Sequence, residues 1–396
     1  MFNIIEEVKK IENEIINWRR ELHRIPEIGL NLPKTTKFIM DELDKMKIEY
    51  HTLINGNAIV GLIKGEENGK TIALRADIDA LPIKEETGLE FASTNGCMHA
   101  CGHDGHTAIL LGVAKLLNEN KDRWKGNVKL LFQPGEEYPG GAKPMIEEGA
   151  LENPAVEAVM GLHMGQLSND IPHGKIGVSY GTMMAAVDKI SIKIIGKSGH
   201  GAYPHQAIDP IIPASEIVLA LQSIVSREIN PTEAAVVSIT RIQGGFNQNI
   251  IPDIVELEGS VRTVKEDTRH RIAKRIEEIV KGISVSHNVK YEIDYEYCYP
   301  ALKNSEDFTK EFVESAKKII SEGDIIEMKA PVMGSEDMSF FLREVPGTFF
   351  YLSNIGEIDG QSYPHHNSKF DIDEKELWKG TALIVQGAID WFYKIK

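Results

Sequence analysis

The 396-residue sequence predicts an α/β protein in which a largely parallel sheet domain is interrupted by a smaller inserted α+β unit. Three observations lead there. Amphipathic helices alternate with near-continuous apolar runs, the signature of strands buried on both faces. Near residue 186 the pattern changes to half-buried, alternating strands in the order βαββαβ, the split-βαβ or ferredoxin-like module. The chain is also longer than a single hydrophobic core usually organises.

The elements follow from residue spacing. Residues 4–24 place Ile4, Ile5, Val8, Ile11, Ile15, Trp18 and Leu22 at helical intervals, and Pro26 closes that helix. A helix over 35–47 and a short apolar strand over 57–63 come next. Three apolar runs then end in polar residues. Thr71–Arg75 stops at Ala76-Asp77-Ile78-Asp79, Val128–Phe132 at Gln133-Pro134-Gly135-Glu136-Glu137, and Val156–Leu162 at His163. Between the first two, a helix over 105–118 carries Ile109, Leu110, Val113, Leu116 and Leu117 on one face. The inserted unit reads as strands over 187–195, 234–242, 253–263 and 288–297, with helices over 209–228 and 266–283. The chain returns through a helix over 305–322, the strand-like Phe349-Phe350-Tyr351-Leu352 and a closing helix over 374–393. The resulting division is 1–184, 185–298 and 299–396. In parallel sheets ligands bind beyond the carboxyl ends of the strands, so acids and His at those ends converge on one rim.

Composition narrows the functional classes. With 44 Lys+Arg against 59 Asp+Glu the net charge is −15, and no basic block marks a nucleic-acid footprint. The balance of 42% apolar and 26% charged residues is that of a soluble globular protein. No apolar run is long enough to span a bilayer, so no membrane partner is expected. The opening Met1-Phe2-Asn3-Ile4-Ile5-Glu6-Glu7 is charged at once and has no signal-peptide core. Cys97, Cys101 and Cys298 make no disulfide framework, and a functional thiol suits a reducing compartment; the expected location is the cytoplasm.

The run Met98-His99-Ala100-Cys101-Gly102-His103-Asp104-Gly105-His106 is the densest chemical signal. Cys101 and His103, one Gly apart, supply two metal ligands from one tight turn, and a thiolate with an imidazole favours Zn, Co or Ni over Mg or Ca. In Glu136-Glu137 adjacent side chains point to opposite sides, so one carboxylate can bind metal while the other contacts water. Each signal alone has a plain reading. An acidic pair is a solvated turn, His163 a satisfied core imidazole, and His365-His366 ordinary surface. Together they fall on one rim or in loops able to reach it.

The segments Leu74-Arg75-Ala76-Asp77-Ile78-Asp79-Ala80-Leu81-Pro82, Met98 to His106, Gln133 to Glu137, Gly161-Leu162-His163 and His366-Asn367-Ser368 resemble the metal-dependent aminoacylase/carboxypeptidase family. The similarity is to its amidohydrolase branch, which includes hippurate hydrolase and indole-acetyl-amino-acid hydrolases. The resemblance implies a catalytic domain (1–184 and 299–396) carrying two divalent ions, Zn, Mn, Co or Ni, bridged by a Cys thiolate. Its ligands would be Cys101, His103, Glu137, His163 and His366; Ser368 stands where the family more often has Pro. Glu136 would be the general base and Asp79 an acid that orients a neighbouring ligand. The insert, 185–298, would be a lid and dimerisation domain. There Ser198-Gly199-His200-Gly201 resembles a lid motif whose His reaches the partner subunit's active site, while Asn249 and Arg262 match residues that hold the substrate carboxylate. An Arg fork suits that task. The implied activity is hydrolysis of N-acyl-L-amino acids by a homodimer, with a carboxypeptidase or dipeptidase acting on short peptides as the alternative.

Three rival readings are weaker. A cysteine hydrolase needs nucleophile and base aligned, which residues i and i+2 in a Gly turn do not provide. Gly334-Ser335-Glu336-Asp337 lacks the Gly-x-Ser-x-Gly pattern of a serine nucleophile. A metal sensor has no use for a spare Glu beside a ligand.

Overall fold

The computed structural model describes residues 3–67 and 69–393. The chain divides into two compact units. The first runs to Met183, resumes over Lys303–Ala330, and continues from Asp337 onward. The second is Met184–Leu302 with the later segment Pro331–Glu336. That segment departs from the sequence-based division, which leaves 331–336 with the C-terminal part. The carbonyls of Val332 and Gly334 both accept the N–H of Ala185, which holds the segment in the second unit.

The first unit begins with helices α1 (Ile4–Lys10), α2 (Glu12–His23) and α3 (Pro33–Met46). The helix expected over 4–24 is broken at Ile11, whose N–H bonds Val8 O three residues back while its own carbonyl starts the next helix. Pro33 opens α3 at a position whose N–H needs no partner, and Lys47 in the left-handed region ends it. Strands β1 (Glu49–Leu53), β2 (Ala58–Lys64), β3 (Thr71–Asp77), β4 (Asn127–Gln133), β5 (Ala158–Gly165) and β6 (Ile176–Val178) follow, with α4 (His103–Glu119) and α5 (Ala142–Glu147) between them.

The inserted unit supplies β7 (Ala186–Ile195), α6 (Ile211–Ser223), β8 (Ala235–Gly244), β9 (Ile254–Thr263), α7 (Glu266–Ser286) and β10 (Lys290–Tyr299). The chain returns through α8 (Glu306–Ala316), β11 (Ile325–Glu327), α9 (Met338–Glu344), β12 (Gly347–Ser353) and α10 (Leu377–Tyr393). Helix α8 stops well before residue 322. The N–H groups of Lys318 and Ile319 bond three residues back, tightening the last turn, and Ser321 is extended.

The first unit holds an eight-stranded sheet in the order β1-β2-β4-β3-β5-β12-β6-β11. Its centre is parallel: β4 with β3, β3 with β5, and β5 with β12. β3, β5 and β12 are buried at every position, which accounts for their unbroken apolar runs. Helix α4 is buried along nearly its whole length, and Ile109, Leu110, Val113 and Leu117 join Leu74, Leu130, Met160 and Leu162 in one core. Truncating any of these to Ala removes about 2–5 kcal/mol, so the strand ends are held on a stiff platform. The second unit has a four-stranded antiparallel sheet, order β8-β9-β7-β10, with its own core of Ile190, Ile192, Ile194, Ile217, Leu257 and Ile276.

Candidate metal centre

The carboxyl ends of β3, β4 and β5 gather the side chains singled out in the sequence. Register places Asp77 opposite Gln133, so the two chains leave the sheet together into Ile78-Asp79 and Pro134–Glu137. β5 does not stop at His163 but runs through it, which buries the ring in the sheet. Gly102 opens α4 at φ +87°, a left-handed conformation that only Gly adopts freely. A Cβ there would meet nothing closer than 3.6 Å, so backbone angle, not space, selects this glycine.

Three of the groups of ligand atoms that form here are built wholly from the sequence-predicted residues, each with all atoms within 4.8 Å of one another. They are Cys101 with His103 and His163, Cys101 with Glu137 and His366, and His103 with Glu136 and Glu137. Cys101 therefore belongs to two triads at once. His366 is the member nearer solvent, with Nε2 3.0 Å from Glu137 Oε1. Its backbone is left-handed, φ +64°, and its N–H bonds Ala100 O. His365 faces elsewhere: its Nε2–H donates to Met164 O at 2.9 Å and its ring packs on His163 and Phe370.

Each imidazole is set from behind. His103 Nδ1–H donates to the Asp79 carbonyl at 2.9 Å, and its buried Nε2 has no hydrogen-bond partner among the described residues. His163 Nδ1–H donates to Met164 O at 2.7 Å, leaving Nε2 3.5 Å from Cys101 Sγ. His106 lies in the same cluster but is spent on both sides. Nδ1–H donates to Asp77 Oδ1 at 2.6 Å, and Nε2 accepts the Met164 N–H at 2.9 Å. Asp79 turns both oxygens to backbone, accepting the N–H of Glu136 at 3.0 Å and of Glu137 at 3.1 Å. It thus fixes the carboxylate pair as well as His103. Such outer partners orient ligands and fix the tautomer.

Three buried or nearly buried carboxylates, Asp77, Glu136 and Glu137, crowd one thiol. Burial, then Glu137, Glu136 and Asp77, pushes the Cys101 thiol well up. Burial lowers His103, but Asp77 and Asp79 outweigh it and raise the imidazole to about 10. A proton is held where positive charge is demanded. Divalent cations meet that demand and deprotonate a coordinating thiol, so this donor set fits a transition-metal pair.

Sequence reasoning missed the supporting shell. Arg75 donates to Gln133 Oε1, Asp77 Oδ2 and Asp337 Oδ1 at 2.8, 3.0 and 3.0 Å. Asp104 accepts from buried Arg19 Nε at 2.8 Å and lies 2.7 Å from His23 Nδ1. Asp77 and His106 stood inside quoted motifs, whereas Arg19 and His23 carry no local signal of their destination.

In the inserted unit, His200 pairs with Ile250 in a two-residue ladder, and the Gly201 N–H bonds Asn249 O, which makes His200 and Asn249 neighbours. Both are exposed. His200 Nδ1 accepts the Ala202 N–H at 3.0 Å, so the neutral ring presents Nε2–H outward. Arg262 is not with them. Both loops leave the sheet at its Ile195–Ile254 end, and Arg262 lies eight residues farther along β9, opposite Val187, about 25 Å away at the rise of a strand. Its guanidinium donates to Ser335 Oγ at 3.0 Å. No helix among the described residues is long and apolar enough to cross a membrane.

Known proteins resemble this chain over most of its length. A profile of peptidase family M20/M25/M40 matches residues 73–389. The chain is 43% identical over 305 residues to an N-acyl-L-amino acid amidohydrolase of Geobacillus stearothermophilus, covering 76% of this chain and 81% of that one. It is 41% identical over 379 residues to thermostable carboxypeptidase 1 of Saccharolobus solfataricus, covering 94% of each. A solved Bacillus subtilis dinuclear metal-binding peptidase of the M20 family superposes with a TM-score of 0.83 at 35% identity, covering 98% of this chain and 100% of that one.

Proposed function

Because the chain belongs to peptidase family M20/M25/M40, whose members hydrolyse amide bonds, we propose that it cleaves N-acyl-L-amino acids to a carboxylic acid and a free amino acid. Glu136 carries this reading: a buried carboxylate beside two ligand triads that share Cys101. When bound, two divalent cations held by Cys101, His103, Glu137, His163 and His366 would polarise the scissile carbonyl and acidify a water. Glu136 takes the proton of the attacking water and returns it to the leaving nitrogen. Its backbone is fixed by Asp79, so the carboxylate need not search for its position. Arg262 anchors the substrate carboxylate and His200 Nε2–H donates to the developing oxyanion.

A homodimer is part of the proposal. Arg262 and the His200–Asn249 pair lie at opposite ends of one sheet, which supports their serving different active sites. Edge strand β8 and helix α6 expose Leu219 (74%), Ile242 (58%) and nearby Phe246 (86%), an apolar edge suited to a second copy. Free Cys97, Cys101 and Cys298 support a reducing, cytoplasmic setting. The carboxypeptidase relative supports a second substrate class, short peptides, attacked with the same machinery.

N-acetyl and N-benzoyl amino acids and dipeptides, assayed with Zn, Mn, Co and Ni after chelation, test the reading. The expected result is loss of turnover in chelator, recovery with metal, and preference for N-acyl amino acids. Turnover that persists without metal overturns the mechanism, and preference for dipeptides selects the second substrate class.

A further inference from the structure

Gly334-Ser335-Glu336-Asp337 holds no nucleophile, yet its position gives it another use. Asp337 is fully buried, and the groups bonded to its carboxylate are all donors. Oδ1 accepts from Arg75 Nη2 at 3.0 Å and Gln133 Nε2 at 2.8 Å; Oδ2 accepts from Gln133 Nε2 at 2.8 Å, Gly141 N at 2.9 Å and Ala142 N at 3.0 Å. Gln133 and Gly141 are the two stems of the loop that carries Glu136 and Glu137. That loop is tight, since a Cβ on Gly141 would fall 1.8 Å from Pro134 O. One carboxylate thus clamps both stems.

The residues just before Asp337 are held within the inserted unit. Ala185 N–H is shared by Val332 O and Gly334 O at 3.0 Å, and Arg262 Nη1 reaches Ser335 Oγ at 3.0 Å and Met333 O at 3.5 Å. Only Glu336, itself buried, separates Ser335 from Asp337.

We propose that residues 332–337 form a tether that couples the Arg262 guanidinium to the Glu136–Glu137 loop, with Asp337 as a positioning residue at one end. This rests on the reading of Arg262 as the carboxylate anchor. A substrate that draws the guanidinium competes with Ser335 and Met333 for it, and the change passes along the tether to the loop stems.

Amide-resolved hydrogen exchange on the metal-loaded enzyme tests this directly, because Ser335 bonds to Arg262 and not to the loop. In Ser335→Ala the Gly141 and Ala142 amides should exchange about fivefold or more faster, while β3 amides keep their wild-type rates. Unchanged exchange at 141 and 142 overturns the tether. If Ser335→Ala loosens β3 as well, Arg262→Gln removes the same bond from its other side and is read the same way. Asp337→Asn should lower kcat about tenfold with KM within about twofold and metal content intact. Parallel loss of metal and thermal stability would make Asp337 merely structural and overturn its positioning role. A separate control isolates the underlying reading: Arg262→Gln should raise KM for an N-acyl amino acid but not for its carboxamide. Failure of that control removes the carboxylate anchor, while the exchange result still decides the coupling.

Discussion

His103 and His200 each follow a glycine, yet the two regions treat the imidazole in opposite ways. His103 is 1% exposed, pinned through Nδ1 to the Asp79 carbonyl, and aims its other nitrogen into a crowd of carboxylates. His200 is exposed, leans on Tyr203, and presents Nε2–H to solvent. The first region is organised before anything binds, because buried backbone and carboxylate groups determine the rings of His103, His106 and His163. The second offers correctly tautomerised donors but no enclosure of its own.

Glu136→Ala should break the prepared region most severely. We expect kcat to fall about 10⁴-fold with metal content near wild type, measured by steady-state kinetics and metal analysis. Substantial turnover would remove Glu136 as the base. Asp104→Asn attacks the same region from behind. It removes one of three carboxylates bonded to buried Arg19 and one of two beside His23, and denaturant unfolding should report a loss of about 1.5–3 kcal/mol. A change under 1 kcal/mol would show that this network is not what stiffens the turn before α4.

In the open region, His200→Ala should lower kcat about 10²-fold and leave stability unchanged. If the donor acts across a dimer, mixing inactive His200→Ala and Glu136→Ala subunits restores part of the activity. Verified mixed dimers without recovery would confine His200 to its own subunit.

The smallest effect sharpens the comparison through pH. Burial works to raise Glu85, but His23, the Thr87 hydroxyl and the Ser93 amide outweigh it and hold the carboxyl at about 2, below its ordinary 4.5. A depressed folded pKa means the stabilisation is complete above 4.5 and lost as pH falls toward 2. The Tm gap between wild type and Glu85→Gln should therefore close over that window. A gap that stays constant would detach Glu85 from the network.

The division between legible and hidden features follows chain distance. β3, β4 and β5 could be read because strands buried on both faces must be apolar throughout, and each apolar run gives way to ligand-type side chains. Glu136, Glu137 and His163 were readable for that reason, and Cys101 and His103 from the Gly turn that sets two metal-ligand side chains side by side. His366 was chosen over His365 by resemblance, and the structure separates the two by what each Nε2 faces. The short β1, β6 and β11 lacked enough residues for a period, and the break at Ile11 is a backbone event with no breaker residue. The supporting shell was unreadable for another reason. Gln133 and Asp337 bond across 204 positions, and Arg19 reaches Asp371 across 352. No local pattern encodes such a pairing.

The two peptide groups that flank Met164 hold three histidines between them. The Met164 carbonyl accepts from His163 at 2.7 Å and His365 at 2.9 Å, while its N–H reaches His106 at 2.9 Å. An alanine scan would therefore misjudge position 164, recording only the packing of a thioether and passing over the two amides that set three rings. Backbone chemistry is the proper probe: replacing the His163–Met164 amide with an ester would cut the bond to His106 and leave the side chain untouched.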